Sequence, residues 1–534
     1  MLYGKTLVNI PEDEGVHVKI AGARGEKYVY KHVKYFRNSE GKPRNRSKAI
    51  GKLDADSGKM FPNSNYFELY QADITFPDAS VWDYGYSYVV LKVCRDIGLF
   101  DCLVSALGQQ RAMDIIVMSA YIIREGSVMD GIDDWQERNY FPCYRRLLTS
   151  QSTSKIFAAL TAAKIHDFFV GWVKTAKCAR ATVCYDVTSI SSYARQMPFI
   201  ERGYNRDGEN LAQFNLGAFC DEVSKTPLYY NRYNGSLTDK TNLSYVLANA
   251  RAVGIERVKM ILDGGFESEE CFTSLFDMCE SFTVGLSPNR RESQGIMASH
   301  GDNIANYANE LSVPYTYCVA STAEIGGVAG KALLYFDSHN HVHLCNELSE
   351  TINRLRAELA ALKRYPKGKL ERYEPYFTIT KHESGSGFDY VVDAEKVDKI
   401  RKRKGFFLLF TTDMESTPED TLYHYRAKDA IEKLFGQIKC DMEGNRIRTH
   451  NEQTTDGKVF VTFVACIIRT YLLNKLNQYL TDNSISLKKA LNQLSNITVI
   501  SSSKGLRFTK ALTKKQKQIL KAVSAEATIV ASLN

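Results

Sequence analysis

The sequence predicts an α/β chain of several domains. Three observations carry this reading. Residues 181–190 (ATVCYDVTSI) and 258–266 (VKMILDGGF) are β-branched, apolar runs of strand length. Helical patterns follow, from about Lys240 to Val253 and from about Ser268 to Cys279. The 534 residues are 44% hydrophobic, enough for three or four domains with real cores.

The elements read in order as follows. From Lys27 to Lys52 nine Lys or Arg accompany one acid, Glu40. YVYKHVKYFR alternates as a strand, NSEGK supplies a turn, and RNRSKAIGKL returns. This basic hairpin offers Arg44, Arg46 and Lys48 to a DNA backbone; a lysine-guarded sheet edge has the same pattern. Tyr86 to about Lys177 reads as several helices, among them Met113–Arg124 and Ser154–Phe169. Phe214–Asp221 and Pro227–Tyr233 read as antiparallel strands, and Phe282–Leu286 as a further strand. Tyr315–Ala320, Ala332–Phe336 and Gly405–Thr411 also read as strands, and Glu347–Arg364 as a charged helix. The roughly 115 residues before the next core helix are too many for a plain loop, so they form an inserted subdomain.

That next helix is Tyr425 to Lys439, YRAKDAIEKLFGQIK. At 100° per residue, Tyr425, Lys428, Glu432 and Lys439 fall within about 60° of one another. Ile431, Leu434, Phe435 and Ile438 form an apolar stripe beside them. One face anchors the helix, and the next offers an acid, two cations and a phenol. A site that handles a metal ion and a phosphate needs such a set; a solvated charged face shares it. Two upstream acids weigh on the choice. Asp186 sits within a strand, where an unpaired carboxylate is costly. Asp263 ends a buried strand before Gly264 and Gly265, where α/β sheets place their chemistry and where a turn or cap residue also fits.

With these residues in hand, the chain resembles a DDE transposase of a bacterial insertion sequence, of the branch with the YREK signature. In that signature Tyr, Arg, Glu and Lys are separated by two, three and six residues, and Tyr425, Lys428, Glu432 and Lys439 keep this spacing. Lys428 departs from the family, a point charge replacing a two-pronged clamp. Arg426 is about 160° off that face and a poor substitute. The resemblance runs from about residue 25 to the C-terminus, with its motifs in 181–290 and 405–470.

The resemblance implies an RNase H-like catalytic core interrupted by a β-rich insertion. The domains implied are a basic β region (1–80), a helical DNA-binding region (81–178), the core in two parts (179–290 and 405–475), the insertion (291–404) and a helical tail (476–534). It implies Asp186, Asp263 and Glu432 as the catalytic, metal-holding triad. Mg²⁺ is the implied cofactor, with Mn²⁺ as a substitute, since hard oxygen ligands suit both. Asp186 would serve two ions, and Asp263 and Glu432 one each. Lys428 and Lys439 would hold phosphates, with Tyr425 beside them. Water would free a 3′-hydroxyl at the element's end, and that hydroxyl would attack target DNA. The implied partners are terminal inverted repeats and target DNA, bound by a homodimer. Such insertions often carry a Trp near the cleaved end. Here the only tryptophans are Trp82, Trp135 and Trp172, so a Tyr or Phe would take that role.

Composition narrows the field. No run of 18 apolar residues suggests a membrane span, and the start, MLYGKTLVNIPEDEG, lacks a signal-peptide core. The twelve cysteines contain no CxxC pair and read as reduced, mostly buried thiols of a cytoplasmic protein; the resemblance implies a bacterial, nucleoid-associated one. Net charge is +8, compatible with DNA binding. There is no P-loop, hence no nucleotide cofactor is expected. His339, His341 and His343 alternate in SHNHVH as in an exposed hairpin, a pattern that also suits three metal ligands on a strand. KIRKRK (399–404) could touch DNA or keep the insertion soluble, and the basic helices of the tail from Leu487 could bind DNA or a second subunit. An RNase H-like resolvase that does not join strands, and a domesticated non-catalytic descendant, are the competing classes. The long insertion and the motif spacing oppose the first; the intact triad opposes the second.

Overall fold

The computed structural model describes residues 7–21, 25–37, 40–70, 81–176, 182–194, 197–256, 258–383, 387–502 and 505–533. The predicted hairpin is there, as the centre of a larger unit. Strands β1 (Val16–Ile20), β2 (Lys27–Arg37), β3 (Pro43–Leu53) and β4 (Met60–Pro62) form one antiparallel sheet in that order. Val29, Ile50 and Met60 are fully buried beneath it, against helix α1 (Ser64–Tyr70), which contributes Tyr66 and Tyr70. The hairpin tip at 38–39 lies outside the described residues, as does the expected boundary at 178/179.

A helical unit follows. Strand β5 (Val81–Asp83) leads into α2 (Gly85–Asp96), α3 (Leu99–Leu107), α4 (Gln109–Glu125), α5 (Ile132–Arg138), α6 (Ser150–Ala158) and α7 (Ala162–Thr175). Trp82, Trp135 and Trp172 are all buried here.

The central sheet has nine strands and both senses of pairing. Its core is β6 (Thr182–Ser192), β7 (Ala212–Asp221), β8 (Pro227–Asn234), β9 (Lys259–Leu262) and β10 (Ser281–Leu286), with helices α8 (Asp239–Ala252) and α9 (Glu269–Met278) between strands. The spatial order is β8-β7-β6-β9-β10. Strand β6 pairs antiparallel with β7 and parallel with β9, and β9 pairs parallel with β10. The expected strands and helices of this core are all found, with ends shifted by a residue or two.

The insertion departs from a purely β-rich subdomain. After α10 (Arg291–His300), strands β11 (Thr316–Ile325) and β12 (Val328–Asp337) form a hairpin that extends the central sheet. Next come α11 (Ser338–Ala361), α12 (Leu370–Tyr373), the hairpin β13 (Phe377–Lys381) and β14 (Phe388–Val392), and α13 (Ala394–Arg403). Strand β15 (Phe406–Thr411) returns between β12 and β10. Helix α11 alone has 24 residues. Its Leu348, Ile352, Leu355 and Leu359, at helical spacing, make a small core of their own with Tyr373 and Phe377. The histidine motif lies in the first turns of α11 and not on a strand, because Asp337 caps the helix at Asn340 N–H. His341 Nδ1 meets Lys404 O at 2.7 Å and His343 faces Glu347. No metal-binding group is found there among the described residues. The KIRKRK run ends α13, which has no buried residue.

The chain closes with α14 (Pro418–Arg426), α15 (Asp429–Gly436), β16 (Arg446–Ile447), α16 (Glu452–Asp482), α17 (Leu487–Ser495), β17 (Thr498–Ser502), β18 (Gly505–Phe508), α18 (Lys514–Ala522) and α19 (Glu526–Ala531). Helix α16 is long and apolar enough to cross a membrane, yet 78% of its apolar window is buried in the protein. It packs on α4, α6, β8 and α18, as a core helix does. The tail is not wholly helical. β17 pairs with β18 and with β5, making a three-stranded sheet from both ends of the chain. The β-branched run TVI supplies a strand there, and β5 supplies the partner that local sequence does not reveal.

Candidate active site

Asp186 lies within β6 and Asp263 one residue beyond β9. These parallel strands pair Val183 with Met260 and Cys184 with Ile261. Carried forward two residues, the same register sets Asp186 level with Asp263. Adjacent strands lie about 4.8 Å apart, so the two carboxylates stand side by side, Asp186 midway along β6 and Asp263 just past the end of β9. Asp263 also caps a short 3₁₀ turn, its Oδ1 accepting from Gly264 N–H at 2.8 Å. The cap role and the sheet-end position coexist in one residue.

Glu432 arrives on α15. Ile431, Leu434 and Phe435 of that helix are buried and seat it against β6 and β7. Glu432 stays 57% exposed. Lys428 completes the group: its Nζ is 3.0 Å from Asp263 Oδ1 and 3.4 Å from Glu432 Oε1, while its side chain is only 14% exposed. Asp186 feels the charge of the same ammonium and of Asp263. Two acids from distant segments thus pair with one cation, and Asp186 stands level with Asp263 on the neighbouring strand.

Electrostatics distinguish the acids. Burial pushes Asp186 up to about 6, against the pull of the Val187 N–H and Lys428, with Asp263 adding repulsion. Burial also pushes Asp263 upward, but Lys428, the Gly264 N–H and the Tyr425 hydroxyl outweigh it and hold it below the usual value. Burial lowers the affinity of Lys428 for its proton; Tyr425, Asp263 and Asp186 more than restore it, so the lysine stays charged. Burial raises the Tyr425 phenol to about 12, which keeps it a donor. Tyr425 reaches the site because Gly285 of β10 leaves room. A Cβ there would stand 2.6 Å from the phenol oxygen.

The helix of the motif is not continuous. α14 stops at Arg426 and α15 starts at Asp429, joined by short-range bonds from Ala430 N–H to Ala427 O and Ile431 N–H to Lys428 O. No proline marks this break. After Gly436 the chain makes a π-turn, Gln437–Asp441, a feature frequent at functional sites. The single-face geometry at 100° per residue therefore fails beyond Glu432. Tyr425, Lys428 and Glu432 converge, but Lys439 is drawn to Asp207, with 2.6 and 2.7 Å to its two oxygens. Arg426 faces Asp337 at 3.6 Å, away from the carboxylates. Arg44 and Arg46 are exposed and Lys48 half-buried on β3, in a sheet separate from the central one.

Three neighbours of the candidate site are not visible in the sequence. They are Gly285, Asp207 and the pair Glu222–His424. Glu222 is buried after β7 and its Oε1 lies 2.7 Å from His424 Nδ1, which pins α14 beside Tyr425. Nothing in a single sequence marks them; each matters only through a contact more than 130 residues distant along the chain.

A divalent cation suits the chemistry of this donor set. Asp263 and Glu432 already hold a cation, the Lys428 ammonium, which stands in for it. No three acids converge as a ready cage among the described residues, so a metal would enter by exchange with that ammonium.

The large mixed sheet, with acids side by side on its adjacent central strands, fits an RNase H-like transposase fold. The chain matches the transposase DDE domain over residues 177–468, more than half its length, and belongs to that family. The family generally uses divalent metal ions. Among solved structures it is similar to the piggyBac transposase synaptic complex with hairpin DNA, at 11% identity and a TM-score of 0.34, over 81% of this chain and 75% of that one. No curated protein matches.

Proposed function

We propose that this chain is a bacterial insertion-sequence transposase of the YREK branch, with Lys428 at the Arg position. It binds terminal inverted repeats and catalyses DNA strand cleavage and strand transfer. The observation that carries this reading is the pairing of Asp263 and Glu432 with the one ammonium of Lys428, beside the register that sets Asp186 level with Asp263.

Asp186, Asp263 and Glu432 would hold Mg²⁺, or Mn²⁺ in its place. Such ions lower the cost of forming the attacking oxygen and of charging the leaving one. Tyr425 fixes Asp263 through its hydroxyl, and Glu222–His424 fixes Tyr425's helix. The oxygen of water bonds to phosphorus and the 3′ oxygen of the element's end leaves with a proton. That 3′-hydroxyl then bonds to a target phosphorus, and the target's 3′ oxygen leaves. Lys428, freed from the carboxylates, and Lys439, freed from Asp207, become contacts for phosphates. No nucleotide cofactor enters. The chain works as a homodimer on DNA in the bacterial cytoplasm.

The test is strand cleavage of a terminal-repeat duplex by Asp186→Ala, Asp263→Ala and Glu432→Ala. Each is expected to lose cleavage while keeping its fold and end binding. Metal-dependent cleavage retained by any one of them removes that residue from the triad.

A further inference from the structure

Between residues 475 and 526, ten Lys or Arg stand against two acids, Asp482 and Glu526. The net of +8 equals the formal charge of the whole chain. Taken together, the other residues are neutral. The charge is concentrated around α18. Lys510, Lys514, Lys515, Lys517 and Lys521 are all exposed, and none is in an ion pair among the described residues.

These cations stand on a fixed support. Gln516, Ile519 and Leu520 bury the other face of α18 against α16 and α17. Thr513 and Gln516 form a capping box, and Gln516 Nε2 donates to Gln493 O at 3.1 Å. Lys514, Lys517 and Lys521 therefore line one stripe, about 10 Å long at 1.5 Å per residue. Duplex DNA presents one phosphate per about 3.4 Å on each strand, so the stripe spans about three phosphates. Beside it lie two shallow hollows of about 380 and 340 Å³, whose walls add the polar side chains Gln518, Thr513 and Asn496 and, in the larger, one acid, Glu526, against Lys514, Lys517 and Lys521. Cations with interspersed amides and hydroxyls are what backbone recognition uses.

We infer that α18 is a second DNA-binding surface, one that grips the sugar–phosphate backbone of duplex DNA without reading its sequence. It packs on α16 and α17, and none of its lysines comes from the segments that carry Asp186, Asp263 and Glu432. This inference rests on the reading of the chain as a DNA-acting enzyme.

The experiment uses the full chain with Lys514, Lys517 and Lys521 all changed to Gln, and a companion with all three changed to Arg. Binding of a 50-base-pair duplex of unrelated sequence is followed by fluorescence anisotropy from 50 to 200 mM salt. Three lost contacts should flatten the slope of log K against log salt by about 2.7. The wild-type advantage in affinity should therefore shrink roughly 40-fold across that range. The Arg variant should keep the wild-type slope, and melting should show all three chains folded. Equal slopes for wild type and the Gln variant overturn the inference. So does a Gln variant that keeps its slope but loses self-association in sedimentation, which would assign the surface to a second copy. If the wild type itself binds no duplex in a salt-dependent way, the transposase reading fails first.

Discussion

Lys428→Met is the perturbation that most directly probes the candidate site. The ammonium lies 3.0 Å from Asp263 and 3.4 Å from Glu432. At an effective dielectric of 20 the two attractions come to about 5 kcal/mol each before solvation is counted. Asp263 and Glu432 are 50% and 57% exposed, and Lys428 gives up hydration to reach them. Exposed pairs are worth about 0.2–1 kcal/mol each, so the net for both is about 0.4–2 kcal/mol. Without metal, Lys428→Met should be less stable by that amount at neutral pH. Asp263 has a lowered folded pKa. Its pairing therefore stabilises above the unfolded value, and the stabilisation is lost as pH falls through the folded one. The variant's deficit should be full at pH 7 and fade in acid below about pH 4. The same change removes the internal competitor for a divalent ion. Calorimetric titration of Mn²⁺ into the DNA-free chain should give an affinity about 2–30-fold higher in the variant, the equivalent of about 0.4–2 kcal/mol. Unchanged or weaker metal binding would refute the idea that the ammonium occupies the cation's place. Cleavage should fall in Lys428→Met by about 1–3 kcal/mol of lost phosphate contact, whereas Lys428→Arg should cleave at least as well as wild type.

Further outcomes are expected from the same geometry. Asp186 has its folded value raised to about 6, so the wild type loses stability as pH rises from about 4 to 6; Asp186→Asn should melt higher than wild type at pH 7.5 without metal, by up to about 2–3 kcal/mol, and match it near pH 4. A lower melting point at pH 7.5 would show that the carboxylate is not under strain. Gly285→Ala should push the Tyr425 hydroxyl off Asp263 and slow cleavage about tenfold, near the worth of one hydrogen bond. Combined with Tyr425→Phe it should add nothing more, and full additivity in that cycle would refute the link. Replacing Arg44, Arg46 and Lys48 with Ala should flatten the salt slope for repeat and scrambled duplexes alike by about two to three units. A loss confined to the repeat duplex would mean that the hairpin reads bases.

The strands of the central sheet were legible because their runs are apolar, short and bounded by turns. β6 and β9 even yielded the register-matched positions of Asp186 and Asp263. The candidate site was legible through spacing, since Tyr425, Lys428 and Glu432 fall within the reach of a nearly regular helix. Lys439 was misplaced because the π-turn after Gly436 has no composition of its own; hydrogen bonding decides it, not residue type. SHNHVH read as a strand because its period is two, yet Asp337 caps a helix there and α11's leucines supply the packing that overrides it. β17 and β5 were missed for a different reason. Each is short, and each is a strand only because the other lies beside it, more than 400 residues away in sequence.

The central position of α16 has a consequence for how the chain is made. Ser119 of α4 donates to Val461 O, and Gly457 sits so close to α6 that a Cβ would meet Phe157 O at 2.2 Å. The helices of residues 85–175 therefore have no complete core until residues 452–482 are synthesised. At ribosomal speeds of about 5–20 residues per second, more than 300 residues of waiting last roughly 15–60 s. During that interval α4, whose Ile115, Ile116 and Ile122 are fully buried in the finished protein, lacks its partner helix α16. A nascent chain in this condition is a natural client for holding chaperones. One released early, before residue 452, would keep an apolar groove that α16 was meant to fill and would be drawn toward aggregation or proteolysis.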